Sequence, residues 1–158
     1  MQTAIINSPV GKIEIVGADL GIVSVVFLDT EEVEISEYIP LALTEVVFQL
    51  QQYFKGERRN FSVKLSMKGT DFQKRVWKEL QKIAFGKTLS YQQIANQLGD
   101  PKVIRAAAAA NSKNPISIII PCHRVIGSDG SLTGYAGGLH RKKWLLEHEN
   151  PSSQKSLF

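Results

Sequence analysis

The spacing of three short apolar runs at the start of the chain is the strongest constraint on its fold. These runs, at residues 3–8, 12–17 and 22–28, are rich in β-branched side chains and are separated by turn residues at 9–11 and 19–21. Runs of this kind are typical of β-strands, and connections this short join antiparallel neighbours. The sequence therefore predicts a small antiparallel β-meander.

Helical patterns dominate the rest of the chain. Pro40 begins a stretch that runs to Phe54 with its apolar residues on one stripe. Residues 61–65 alternate and could return to the sheet, and residues 66–69 are the best candidate linker. Beyond the linker, the patterns predict a helix after Thr70, two helices joined by a tight turn, and a last helix over residues 139–149.

The order of these elements predicts the fold class and the domains. We expect an α+β protein, with a small N-terminal antiparallel sheet and a helix over residues 1–68. A mainly helical domain over residues 69–150 follows, with a helix-turn-helix of winged-helix-like type. Residues 151–158 are expected to form a C-terminal tail.

The predicted helix-turn-helix has an unusual second helix. Ser90 and Gln93 form a capping box at the first helix, and Asp100-Pro101 begins the second. The second helix carries Arg105 and then five alanines, 106 to 110. Alanines cannot read base edges, but they make the helix thin enough to lie close to a widened minor groove. The alternative is that alanine is simply a good helix former that packs in the core.

Charge is divided unevenly between the two halves of the chain. Residues 1–69 hold 6 Lys/Arg and 9 Asp/Glu, a net charge of −3, whereas residues 70–158 hold 13 and 6, a net charge of +7. A basic second half favours a polyanionic partner, although a solvated surface is the plain alternative.

Cys122 is the single cysteine of the chain, in the segment Pro121-Cys122-His123-Arg124. One cysteine excludes an internal disulfide and a four-cysteine zinc site, and three histidines leave little for another metal cage. A short β-branched strand is expected to lead to Cys122, and neighbouring cations lower a thiol pKa. For an arbitrary lone cysteine, burial in the core is the competing interpretation.

The absence of a signal-like start and of a long apolar run indicates a reduced, cytoplasmic protein with no membrane contact. Hydrophobic content of 43% and charged content of 22% are ordinary for a globular chain.

Ordered motifs over residues 70–150 resemble the O6-alkylguanine-DNA alkyltransferase family, also called methylated-DNA–protein-cysteine methyltransferases, of the small bacterial type. The motifs, in chain order, are Phe72-Gln73, Val76-Trp77, Gly86, Ser90-Tyr91-Gln92-Gln93-Ile94-Ala95, Asn114-Pro115, Pro121-Cys122-His123-Arg124-Val125-Ile126, Gly134-Tyr135-Ala136-Gly137-Gly138, Lys143-Trp144-Leu145-Leu146 and His148-Glu149. The first half matches more loosely.

The resemblance implies direct reversal of DNA damage by a protein that acts once. The damaged base is O6-alkylguanine, with O4-alkylthymine as a secondary substrate. It is flipped out of double-stranded DNA, and its alkyl group passes irreversibly to the cysteine. No cofactor or metal is implied, and we expect a monomer.

The resemblance also implies roles for single residues. Cys122 matches the nucleophile, His123 and Glu149 match the groups that activate it, and Tyr91 matches a phenol that donates to guanine N3. Arg105 matches the finger that fills the vacated base stack. DNA contacts are expected at Lys102, Ala106, Ala107 and Lys113, and the substrate pocket at Asn114, Val125, Tyr135 and Ala136.

The sequence departs from the family pattern at two adjacent positions, and two rival functions stay open. Many family members have Val-Gly where this chain has Ala107-Ala108, which could alter DNA approach or packing. A lesion-binding regulator without chemistry is one rival function, against which Cys122, His123 and Glu149 count. A cysteine hydrolase using Cys122 with His123 or His148 is the other, although no hydrolase framework is evident. Arg124 is expected to pair with a carboxylate or a carbonyl.

Overall fold

The computed structural model describes residues 1–151, which divide into two compact units. One unit contains Met1–Lys68 with Pro115–Ser117, and the other contains Gly69–Asn114 and the described chain from Ile118 onward. The predicted α+β class is confirmed. The predicted tail lies outside the described residues from 152 onward, and no helix within residues 1–151 is both long and apolar enough to cross a membrane.

The first unit is built on an antiparallel sheet of order β1-β2-β3, with β1 at Gln2–Ile6, β2 at Ile13–Ala18 and β3 at Gly21–Phe27. The β-meander expected from the apolar runs is thus present. Residues 115–117 run beside β3, because Val25 N donates to Pro115 O and Ser117 N donates to Val25 O, both at 2.9 Å.

One helix follows the sheet in the first unit. A 3₁₀ turn at Leu41–Leu43 leads into α1, Thr44–Phe54, whose buried face includes Val46, Leu50 and Tyr53. The predicted return of residues 61–65 to the sheet is reduced to a single bridge between Leu65 and Ile22. Backbone bonds at residues 64 and 66 flank that bridge, and no regular strand forms.

The second unit contains four helices: α2 at Asp71–Leu80, α3 at Tyr91–Gln97, α4 at Ile104–Ser112 and α5 at Leu139–Glu149. Capping boxes begin α2 at Thr70 and α3 at Ser90, so both starts agree with the sequence patterns. A 3₁₀ turn at Pro101–Val103, capped by Asp100, separates α3 from α4. Trp77 is buried on α2 and donates its indole N–H to Ala110 O at 2.9 Å, which ties α2 to α4.

The prediction of a strand before Cys122 is wrong. Residues 117–120 form turns, and Cys122–Arg124 is a 3₁₀ helix. Ile118 has a φ of 72°, in the left-handed region that a β-branched residue rarely adopts. Burial explains the misleading pattern, since Ile116, Ile118 and Ile120 are all at most 1% exposed and their apolar side chains serve a buried turn as well as a strand.

Candidate active site

A short parallel pairing brings two predicted site segments together. Strand β4, Leu89–Ser90, pairs with β5, Val125–Ile126, in the register Leu89 to Val125. Tyr91 directly follows β4, and the 3₁₀ helix that carries Cys122 directly precedes β5. Burial raises the pKa of Tyr91, its hydrogen bond to Thr133 lowers that pKa, and the charge of Cys122 raises it.

The thiol of Cys122 is buried, with the residue 4% exposed. Burial raises its pKa to about 11, although a hydrogen bond with Asn114 and the charge of Lys142 act in the opposite direction. Asn114 is itself fixed by donating Nδ2 to Ile120 O at 2.7 Å. At neutral pH the resting group is therefore a thiol, and a base must take its proton before sulfur can attack.

Behind the thiol lies a buried network of His123, Arg124 and Glu149. Glu149 Oε2 lies 2.7 Å from His123 Nε2, and Arg124 donates Nε to Oε1 at 2.7 Å and Nη2 to Oε2 at 3.0 Å. Arg124 also donates Nη1 to Ile83 O at 2.7 Å. The expectation that Arg124 pairs with a carboxylate or a carbonyl is confirmed on both counts.

Burial leaves His123 neutral despite the carboxylate beside it. Burial lowers the pKa of His123 more than the Glu149 carboxylate raises it. Burial would raise the pKa of Glu149, but His123 and Arg124 together hold that pKa well below its usual range. The positive charge of Arg124 balances the ionised carboxylate of Glu149, and an ionised carboxylate can only accept hydrogen bonds. Nε2 of His123 therefore carries the hydrogen, and Nδ1 keeps its lone pair. Within residues 1–151, Nδ1 has no hydrogen-bond partner.

Lys142 is a site residue that the sequence did not reveal. It is 0% exposed, and its Nζ donates to Val125 O at 2.5 Å and to Thr133 O at 2.7 Å. Burial lowers its pKa to about 8, while the charge of Cys122 acts in the opposite direction. A buried lysine within a basic helix gives no periodic signal, because Lys142 and its two charged neighbours, Arg141 and Lys143, look like a solvated face.

Tyr91 and Arg105 line one cavity. The cavity has a volume of about 460 Å³ and is also lined by Ile104, Ala108, Ser112, Thr133 and Gly134. Tyr91 donates its hydroxyl to Thr133 O at 3.0 Å. Gly134 has a φ of 58°, and a Cβ there would lie 3.3 Å from the Tyr91 hydroxyl oxygen, so a side chain at this position would crowd the phenol.

Helix α4, which carries the alanine run, has one exposed face and one buried face. Arg105 and Ala106 are exposed, as are the predicted phosphate contacts Lys102 and Lys113. Ala107, expected to contact DNA, is instead 1% exposed and packs in the interior. Of the two positions at which the sequence departs from many members of the family that it resembles, Ala107 therefore lies in the interior and Ala108 lines the cavity.

The remaining predicted pocket residues differ in their exposure to solvent. Val125 is buried with its carbonyl bonded to Lys142, Tyr135 is 8% exposed, and Ala136 is exposed in a turn. The carbonyl of Cys122 already accepts from Val125 N. Each carbonyl retains a second lone pair for a ligand. In the part of the chain that the structure describes, no group of three His, Cys, Asp or Glu is arranged to hold a metal ion.

Comparison with protein families gives two matches, which together cover residues 1–67 and 71–151. The family model described as "6-O-methylguanine DNA methyltransferase, ribonuclease-like domain" matches residues 1–67. The model described as "6-O-methylguanine DNA methyltransferase, DNA binding domain" matches residues 71–151.

Individual relatives are similar over nearly their whole length. A methylated-DNA–protein-cysteine methyltransferase of Methanosarcina barkeri is 48% identical over 153 residues, which cover 94% of this chain and 97% of that protein. One from Mycobacterium bovis is 45% identical over 155 residues, with 96% and 94% covered. A crystal structure of Mycobacterium tuberculosis OGT in complex with DNA has a TM-score of 0.87 at 44% identity, covering 96% of this chain and 94% of that one.

Proposed function

Because the chain belongs to the 6-O-methylguanine DNA methyltransferase family, we propose that Cys122 is the sulfur that receives the alkyl group. The activity is DNA repair, in which the alkyl group of O6-alkylguanine is transferred to a cysteine of the protein. The sequence has one cysteine, so no other residue can fill that role.

The observation that carries the assignment is the buried network beside Cys122. A neutral imidazole whose Nε2–H is held by Glu149 has one free base, Nδ1 of His123. We infer that Nδ1 takes the thiol proton through a bridging water. This would generate the thiolate only when it is needed, since the resting pKa of the thiol is about 11.

The transfer is a displacement at a saturated carbon. The thiolate of Cys122 forms a carbon–sulfur bond as the bond from that carbon to guanine O6 breaks, and the electron pair goes to the base. Donation from the Tyr91 hydroxyl to guanine N3 offsets the charge that develops. The product is a thioether, which is a poor leaving group, so each molecule acts once.

DNA is the partner that this mechanism requires, and α4 is the element proposed to meet it. Arg105 lines the cavity with Tyr91 and is exposed, which suits a side chain that replaces a flipped base in the stack. Lys102 and Lys113 flank the same helix and would neutralise phosphates, giving an affinity that falls with salt. The exposed Ala106 allows close approach.

We propose that the substrate is O6-alkylguanine in double-stranded DNA, with O4-alkylthymine as a secondary substrate, and that the protein acts as a cytoplasmic monomer. The domains are residues 1–68 and 69–150, with the DNA-facing helices in the second.

The decisive test weighs the intact protein after mixing with a duplex that carries one O6-methylguanine. We expect a gain of one methyl group per chain, located by peptide mapping on Cys122, and no gain in Cys122→Ser, which should still bind the duplex. An unmodified protein that keeps the duplex bound would favour the lesion-binding function instead. Repeated turnover of a reporter ester, lost in Cys122→Ser, would favour a hydrolase.

A further inference from the structure

Asn111, near the end of α4, is a buried amide that the proposed reaction does not use. The residue is 2% exposed. Within residues 1–151, neither its Nδ2 nor its Oδ1 has a hydrogen-bond partner. Buried polar groups are nearly always paired, and an unpaired one destabilises the protein. Packing alone therefore gives no reason for an amide at this position.

The place of Asn111 on α4 directs attention to Tyr91. Asn111 lies seven residues after Ile104 and three after Ala108, so these residues share one side of the helix. Ile104 and Ala108 line the cavity that also contains Tyr91. Burial raises the pKa of Tyr91, and the hydrogen bond to Thr133 and a weaker polar interaction with the Asn111 side chain partly offset that rise. The amide is thus close to the phenol without forming a complete hydrogen bond.

The hydrogen bond that holds the Tyr91 hydroxyl can break without leaving its acceptor unpaired. Its hydroxyl donates to Thr133 O at 3.0 Å, and the same carbonyl accepts from Lys142 Nζ at 2.7 Å. If the phenol turns away, Thr133 O keeps the bond from the lysine and is not left unsatisfied. The phenol oxygen, in contrast, would then need a new donor beside it.

We propose that Asn111 is a positioning residue for Tyr91, donating Nδ2–H to the phenol oxygen when the O–H turns from Thr133 to the flipped base. The inference rests on the proposed function. A phenol that accepts a hydrogen bond becomes a stronger donor through the polarisation of its O–H. Asn111 thereby holds Tyr91 on the base and supports the charge that the departing guanine develops, without touching the reacting atoms itself.

This role predicts opposite effects on stability and rate. Asn111→Leu replaces an unpaired amide with an apolar group of similar size, which should leave the melting temperature unchanged or raise it. The same change should slow alkyl transfer by about 2- to 12-fold, the factor that corresponds to one neutral hydrogen bond. A merely structural asparagine would lower both quantities.

The test is a double-mutant cycle with Tyr91→Phe. Single-turnover rates of methyl transfer are measured for the wild type, both single variants and the double variant, at saturating duplex with one O6-methylguanine. We expect Asn111→Leu to slow the wild type but to have no effect in the Tyr91→Phe background. Asn60→Leu, an exposed asparagine of the first unit, is the control and should match the wild type in rate.

Each outcome separates the inference from the proposed function. Equal slowing by Asn111→Leu in both backgrounds, or no slowing in either, would overturn the role of Asn111 and leave alkyl transfer standing. A wild type that gains no methyl group would overturn the proposed function and this inference with it. If circular dichroism shows that Asn111→Leu does not fold, Asn111→Ala is taken through the same cycle with the same outcomes.

Discussion

Replacement of Glu149 by glutamine should destabilise the protein strongly, because the carboxylate is the shared acceptor of a buried network. Its side chain is 1% exposed and receives bonds at 2.7, 2.7 and 3.0 Å from His123 and Arg124. Glu149→Gln keeps the shape but leaves the Arg124 guanidinium, 7% exposed, with no counter-charge in this network. Breaking a buried ion pair on one side costs about 3–5 kcal/mol.

The loss should be measured by thermal and urea unfolding at pH 7. For a chain of 158 residues, about 2–4 °C is lost per kcal/mol, so we expect the melting temperature to fall by about 6–20 °C. The matched control is Glu79→Gln, which breaks the surface pair of Glu79 with Lys82, whose side chain is 71% exposed. That change should cost about 0–1 kcal/mol.

The pH dependence gives a second check with a defined sign. The pKa of Glu149 is lower in the folded protein than in the unfolded chain, so the carboxylate stabilises the fold above the unfolded pKa, about 4.3. As pH falls below that value, the difference in unfolding free energy between wild type and Glu149→Gln should shrink by about 1.4 kcal/mol per pH unit. A Glu149→Gln variant no less stable than Glu79→Gln at pH 7, or a difference that stays constant from pH 5 to 3, would refute this reasoning.

The other predictions concern the reaction. Arg105→Ala should impair repair of duplex DNA far more than reaction with free O6-benzylguanine, and equal losses would count against base flipping. Tyr91→Phe should slow methyl transfer by about 10²-fold, the cost of losing one preorganised donor, and an unchanged single-turnover rate would remove that role. With a pKa of about 11, Cys122 should react with iodoacetamide far more slowly at pH 7 than a free cysteine, at a rate that rises tenfold per pH unit up to about pH 10. A rate plateau near pH 8 would contradict this.

Local signals in the sequence were sufficient for much of the fold. The β-branched runs of the first 28 residues specify a meander, because both their alternation and their turns are local properties. The start of α3 is equally local, since Ser90 and Gln93 bond to each other's backbone. The family resemblance, carried by motifs in a fixed order, implied the candidates Cys122, His123 and Glu149.

Other parts of the site depend on contacts that no local pattern encodes. The buried run before Cys122 resembled a strand, yet it turns, because burial alone does not distinguish the two. Lys142 and Asn111 acquire their significance only from distant neighbours, the carbonyls of Val125 and Thr133 for one and the phenol of Tyr91 for the other. The burial of Ala107 is also beyond a local pattern, because a run of five alanines has no periodicity that distinguishes the buried face from the exposed one.

The capping box at α3 has a consequence for which insertions and deletions the gene can tolerate. Ser90 and Gln93 fix where the helix begins, and Tyr91, one residue past the cap, therefore has a fixed angle about the helix axis. Adding or removing one codon within residues 90–93 would rotate the phenol by about 100°, away from the cavity. The same change at the exposed residues 87–88 would only alter the length of a surface connection. Insertions and deletions among descendants of this sequence should therefore occur before Ser90 and be absent from residues 90–93.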